Sequence, residues 1–265
     1  MSKGELYTII TNKKAKGRKG AIVAIFSGTK VEPIIEQLLK ISAKKRAKVI
    51  EITLDMANSM KTIAKKCFPK AIQVTDRFHV QKLALEALQD IRIKHRWDAI
   101  DLENEQIKQA RAKNRKFLPK EFDNGDSRKQ LLARSRYLLY KDPSNWTENQ
   151  YSRSKILFDQ YPDIKTAFDL TQGLRNIFNT AKTIEVAYTK LAHWYKDVES
   201  TGFRAFNTIA NTITLNYKSI LSYFINRSTN ASAESFNAKI KAFRAQFRGV
   251  KNVEFFLYRL TTIFA

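Results

Sequence analysis

Two short runs rich in β-branched and apolar residues open the chain, ELYTIITN at 5–12 and GAIVAIFS at 20–27. Between them lies KKAKGRKG, a basic, glycine-containing stretch that reads as the loop of a hairpin. Its GRKG lacks the spacing of a phosphate-binding loop and carries no weight as one. The period becomes helical in VEPIIEQLLKI (31–41), where Pro33 is tolerated in the first turn. Lys44, Lys45 and Arg46 then read as a solvated turn. Val49, Ile50, Ile52 and Leu54 form a third strand-like run closed directly by Asp55. Residues 57–68 carry Met60, Ile63, Ala64 and Cys67 at helical spacing until Pro69 stops the helix, and 71–75 form a fourth strand ending at Asp76. A strand–helix–strand crossover of this length predicts parallel neighbours with both carboxylates at one sheet edge. In open α/β sheets that edge is where ligands bind.

After Asp76 the pattern is helical nearly to the end. One or two long helices are expected over 80–113, marked by Leu83, Ala87, Ile91, Ile100 and Ile107, followed by a loop at 118–126. Further helices are expected over 127–141, 147–160, 163–199 and 203–224. Trp97, Trp146 and Trp194 fall in this region, where large aromatics are expected to pack helices together. A polar loop, NRSTNAS (226–232), leads into a helix over 233–247, and a last apolar helix covers 250–264.

Charge changes this picture most. The 265 residues carry a formal net charge of +23, spread along the chain rather than gathered in a tail. That balance predicts a polyanionic partner on an extended face, nucleic acid rather than membrane, since no lipidation signal or basic amphipathic anchor is present. A single cysteine, Cys67, excludes an internal disulfide framework and a Cys-x-x-Cys zinc site, and its helical position predicts a core residue. The start MSKGELYTII has no signal-peptide pattern and no apolar run reaches membrane length, so a soluble protein of the cytoplasm, associated with the nucleoid, is expected.

The candidate chemistry lies in the carboxylates. Asp55 and Asp76 at neighbouring strand ends suit a hard divalent cation, because Mg²⁺ takes oxygen ligands and usually one or two carboxylates. Glu234 sits in the first turn of its helix, where the dipole favours a carboxylate and Ser232 or Asn230 can cap, so locally it reads as a helix-start residue. Asn237, Lys241, Arg244 and Arg248 follow it at three- and four-residue spacing, giving a basic face that begins with a carboxylate. Such a face suits a metal ion and a phosphodiester together.

The segments TLDMA, FPKAIQVTDRFHVQK, NRSTNASAESFNAKIKAFR and GVKNVEFFLYRL resemble DDE transposases of bacterial insertion sequences, in the ISL-three group. The resemblance covers nearly the whole chain. It implies an α/β fold, mostly helical overall: an RNase H-like mixed sheet core at 1–79, a large all-helical insertion at 80–225, and C-terminal helices carrying the glutamate at 226–265. It implies metal-dependent cleavage and transfer of DNA strands at insertion-sequence ends, with Mg²⁺ or Mn²⁺, terminal-repeat and target DNA, and a homo-oligomer on DNA. Residue by residue, Asp55 matches the second catalytic aspartate and Glu234 the catalytic glutamate, both as metal ligands. Lys241 matches the accompanying basic residue, and Asp76 with His79 match a supporting D-x-x-H signature. Arg227, Asn237, Lys241, Arg244 and Arg248 are the expected DNA contacts. Asp76 as a direct ligand, forming a triad with Asp55 and Glu234, is the alternative assignment. His79 reads more readily as a hydrogen-bonded structural residue than as a ligand, and His95 and His193 have no ligand spacing. The family's first aspartate and its strand have no counterpart before Glu5, so an upstream N-terminal segment is expected to complete the enzyme. Without it, the expectation is a catalytically inactive DNA-binding remnant or regulator.

Overall fold

The computed structural model describes residues 7–246 and 252–265. It divides into two compact units: the residues up to Arg77 together with Lys218–Ala265, and Phe78–Tyr217.

In the first unit, β1 (Tyr7–Thr11) and β2 (Ile22–Ser27) form the expected antiparallel hairpin, Tyr7 opposite Ser27 and Thr11 opposite Ile22. The register slips between Ile10 and Thr11, so Val23 bulges out and is 53% exposed. The bulge turns Ile22 and Ile25 to the same side. Helix α1 (Val31–Leu39) is followed by a single turn, α2 (Ala43–Arg46), where a solvated loop was expected. Arg46 explains the difference. Its guanidinium donates to the carbonyls of Ile41 (2.9 Å) and Cys67 (2.6 Å), tying the turn to the end of α3 (Asn58–Cys67). Strands β3 (Glu51–Leu54) and β4 (Ile72–Thr75) pair in parallel, with Leu54 opposite Thr75.

Each of these sheets has two strands. Both cover one helical layer: Ile34, Ile35 and Leu38 of α1 with Ile63 and Cys67 of α3 form a core against which Ile10 (β1), Phe26 (β2) and Ile52 (β3) pack. Cys67 is fully buried, as expected, and burial pushes its thiol up. The other side of the hairpin is covered by α12 (Ala231–Gln246) and α13 (Val253–Phe264), through Phe236, Ile240, Phe256 and Leu260. Ile9 and Ile25 point that way, and the amide of Ala21 donates to the Phe264 carbonyl at 2.8 Å. The glycine in the hairpin loop has a local reason. Gly17 is left-handed (φ +70°), and a Cβ there would meet the Phe236 ring at 3.3 Å.

The second unit is helical. A single 36-residue helix, α4 (Arg77–Ala112), leads into α5 (Arg128–Arg134), α6 (Glu148–Gln160), α7 (Pro162–Thr180), α8 (Ile184–Thr201) and α9 (Arg204–Leu215). Short helices α10 (Tyr217–Leu221) and α11 (Tyr223–Asn226) follow. The expected continuous helix over 163–199 is broken, because Thr183 caps a new helix by accepting from the Val186 amide. The expected helix over 203–224 breaks at Asn216, whose side chain donates to the Thr212 carbonyl. The stretch 127–141 is helical only to Arg134, and a 3-10 turn follows at Leu138–Tyr140. Trp194 is buried and donates to the Leu170 carbonyl, and Trp146 stacks on Phe168 with ring centres 5.5 Å apart. Trp97 departs from the packing expectation, being 61% exposed.

Candidate functional site

The parallel register of β3 and β4 sets Asp55 and Asp76 one residue beyond the paired Leu54 and Thr75, at the carboxyl ends of adjacent strands. The Asp76 amide donates to the Leu54 carbonyl at 3.2 Å, carrying the pairing to the mouth of the sheet. From this shared edge the two carboxylates take different surroundings. Asp55 is half-buried, and its Oδ1 accepts from the Ala57 amide at 2.9 Å, shaping the turn into α3. Lys61, on that helix, lies close enough to feel the Asp55 charge; burial lowers the Lys61 ammonium and the carboxylate partly offsets this. Asp76 is 2% exposed, and its Oδ2 accepts from the Asn230 amide at 2.8 Å.

That bond joins two segments 154 residues apart in sequence and anchors the start of α12 at the β4 end. More bonds stitch the same loop down. Asn226 donates to Glu51 at 3.0 Å, and the Thr75 and Ser219 hydroxyls are 2.8 Å apart. Burial would raise the Glu51 carboxyl, but bonds from Ser228 and Asn226, with Lys13 nearby, hold it below the ordinary range. Glu51, Ser219, Asn226 and Asn230 are site-building residues that the sequence reading did not single out. The alternation of polar Glu51 and Thr53 with Ile52 and Leu54 was the available signal for the first of them.

Glu234 begins α12 as expected: its amide donates to the Asn230 carbonyl at 2.9 Å, and its side chain is exposed. It therefore lies one helical turn after the residue that Asp76 holds. Asn237 and Lys241 are also exposed, whereas Arg244 is half-buried, its guanidinium 5.0 Å from the centre of the Phe256 ring. Arg227 is exposed and left-handed (φ 50°), closing α11 through its amide bond to Tyr223. Arg248 lies outside the described residues. His79, in the first turn of α4, is half-buried and makes an edge-to-face contact with Phe78, the ring centres 5.9 Å apart. His95 pairs with Asp163 at 2.6 Å, an ordinary helix-to-helix bond.

Among the described residues, no group of three or more His, Cys, Asp and Glu side chains is gathered closely enough to hold a metal ion. The donors that are present are carboxylate oxygens at a sheet edge and a helix start. Their chemistry fits Mg²⁺, which is commonly held by only one or two carboxylates, the rest of its shell being water and substrate.

A family model described as a transposase, of the ISL-three type, matches residues 1–260. The transposase for insertion sequence element IS1557 of Mycobacterium tuberculosis is 26% identical over 203 residues, covering 76% of this chain and 44% of that protein. The transposase for IS1001 of Bordetella parapertussis is 24% identical over 225 residues, covering 84% of this chain and 48% of that protein. The chain thus spans less than half the length of these curated relatives. No solved structure matches it. With the family match running over almost its entire length, the chain belongs to the ISL-three-type insertion-sequence transposases.

Proposed function

We propose that this chain is the catalytic part of a DDE transposase that cleaves and transfers DNA strands at insertion-sequence ends with Mg²⁺ or Mn²⁺, on an RNase H-like core. The observation that carries the reading is the 2.8 Å bond from the Asn230 amide to Asp76, which roots the Glu234 helix at the strand end beside the one bearing Asp55. Asp55 and Glu234 would hold the ion. When bound, it supplies electrophilic stabilisation of the phosphodiester oxygens and activates the attacking hydroxyl. Asp76 is a positioning residue, since it orders the loop that delivers Glu234, and His79 supports the start of α4. Arg227, Asn237, Lys241, Arg244 and Arg248 bind phosphates and set the register of the strand without reading its sequence. An upstream N-terminal segment completes the site with a third carboxylate. DNA ends and target DNA are the partners, and a homo-oligomer brings two ends together.

The test is strand cleavage of labelled terminal-repeat DNA by the chain with and without the upstream segment fused to it. The fused protein cuts and the chain alone binds with little cutting. Asp55→Asn and Glu234→Gln each lower cutting by at least ~100-fold while leaving DNA affinity nearly unchanged. Cutting that survives both substitutions overturns the assignment. The exposed setting of Glu234 favours a second reading, a DNA-binding regulator that occupies transposon ends without cutting them. That reading requires the fused protein to be inactive too.

A further inference from the structure

The two sheets of the first unit share one helical layer, yet among the described residues no backbone ladder joins them. What links them is a side chain. Lys13, just past the end of β1, donates to Thr53 Oγ1 at 2.7 Å and lies 3.7 Å from the Glu51 carboxylate, at the beginning of β3. The end of β1 therefore stands beside the beginning of β3.

The hydrogen-bonding direction of β3 can be read from its partner. The carbonyls of Ile50 and Leu54 accept from the β4 amides of Ile72 and Asp76. By alternation, the backbone groups of Glu51 and Thr53 point the other way, toward the β1 side. β1 pairs with β2 along one edge and leaves its other edge without a ladder among the described residues. The floor of the interval is apolar, because Ile10 and Ile52, one from each sheet, pack on the same helices.

The geometry points to a strand-binding slot between β1 and β3, filled by an extended segment of the transposase polypeptide that lies outside this chain. The relatives supply a source for it, since 44% and 48% of their lengths are all that this chain covers. The slot takes a strand of about five or six residues, apolar at alternate positions toward α1 and α3, with backbone groups meeting both edges. Such a strand joins two two-stranded ribbons, each marginal alone, into one five-stranded sheet. The inference rests on the upstream segment of the functional reading but not on its metal chemistry.

The probe is a synthetic peptide of about six residues, alternating valine and threonine behind a solubilising lysine, added to the full chain. Amide exchange is followed residue by residue. The Thr53 amide slows by about 10-fold or more with saturating peptide, while the Asp76 amide, already in the ladder, changes little. A peptide N-methylated at alternate nitrogens gives no protection. No saturable binding overturns the slot, as does equal protection by the N-methylated peptide. Protection of Thr53 that depends on protein concentration and not on peptide assigns the edge to a second copy instead, and also overturns it. Cleavage assays are independent of every arm, so loss of the catalytic reading and loss of the slot are separable.

Discussion

Asp76 and Asp126 are both fully buried carboxylates, and they are satisfied in opposite ways. Asp76 accepts from a backbone amide of a distant loop, whereas Asp126 accepts from Arg153 at 2.7 Å and from Arg134. For Asp126, burial alone would raise the carboxyl, but the bonds and charges of the two arginines outweigh it and hold the group below its ordinary range. A depressed folded value stabilises the fold at pH above the unfolded value of roughly 3.9, and that contribution is lost as pH falls through the folded value. Asp126→Asn should therefore cost about 3 kcal/mol at neutral pH, with the gap to wild type narrowing in thermal melts near pH 3. Asp76→Ala leaves the Asn230 amide without this acceptor and should cost roughly 1–3 kcal/mol. Its signature is faster amide exchange at Asn230 with little change in unit two. Unchanged exchange there would refute the anchoring role.

At the scale of elements, α12 owes its place to Phe236 as much as to Asp76. The ring is 2% exposed, seated among Ala21, Ile22, Ile240 and Leu260, and it meets Phe264 edge to face at 5.1 Å. Phe236→Ala should destabilise the first unit by about 3–5 kcal/mol and disorder the Glu234 helix, readable as loss of DNA-dependent protection along α12. The elements that the sequence made legible are those whose cause is local. The β–α–β run ending at Asp55 and Asp76, the hairpin and the Thr147-capped α6 all follow from periodicity and breakers within a dozen residues. What stayed hidden depends on partners far along the chain. Arg46 looked solvated because its acceptor, the Cys67 carbonyl, is 21 residues away. Asn230 gave no hint that it would meet Asp76. The break at 181–183 was written in a capping threonine but overshadowed by the apolar period on either side.

For the molecule as a whole, a net charge of +23 makes association with DNA steeply dependent on salt. If six to ten phosphates are neutralised, affinity should fall roughly 10³–10⁵-fold between 50 and 200 mM salt. A slope near zero in filter binding would contradict an extended phosphate-binding face. No helix among the described residues is long and apolar enough to cross a membrane.

The uncompleted margin of β3 has a practical side. Ile50, just ahead of that strand, is 75% exposed, and ribbons with open margins template the stacking of identical chains. At low ionic strength, mutual repulsion of strongly cationic molecules keeps those margins apart. The concentrated salt used to strip nucleic acid during purification removes that repulsion, so light scattering should rise with added NaCl and fall back when the missing strand is supplied.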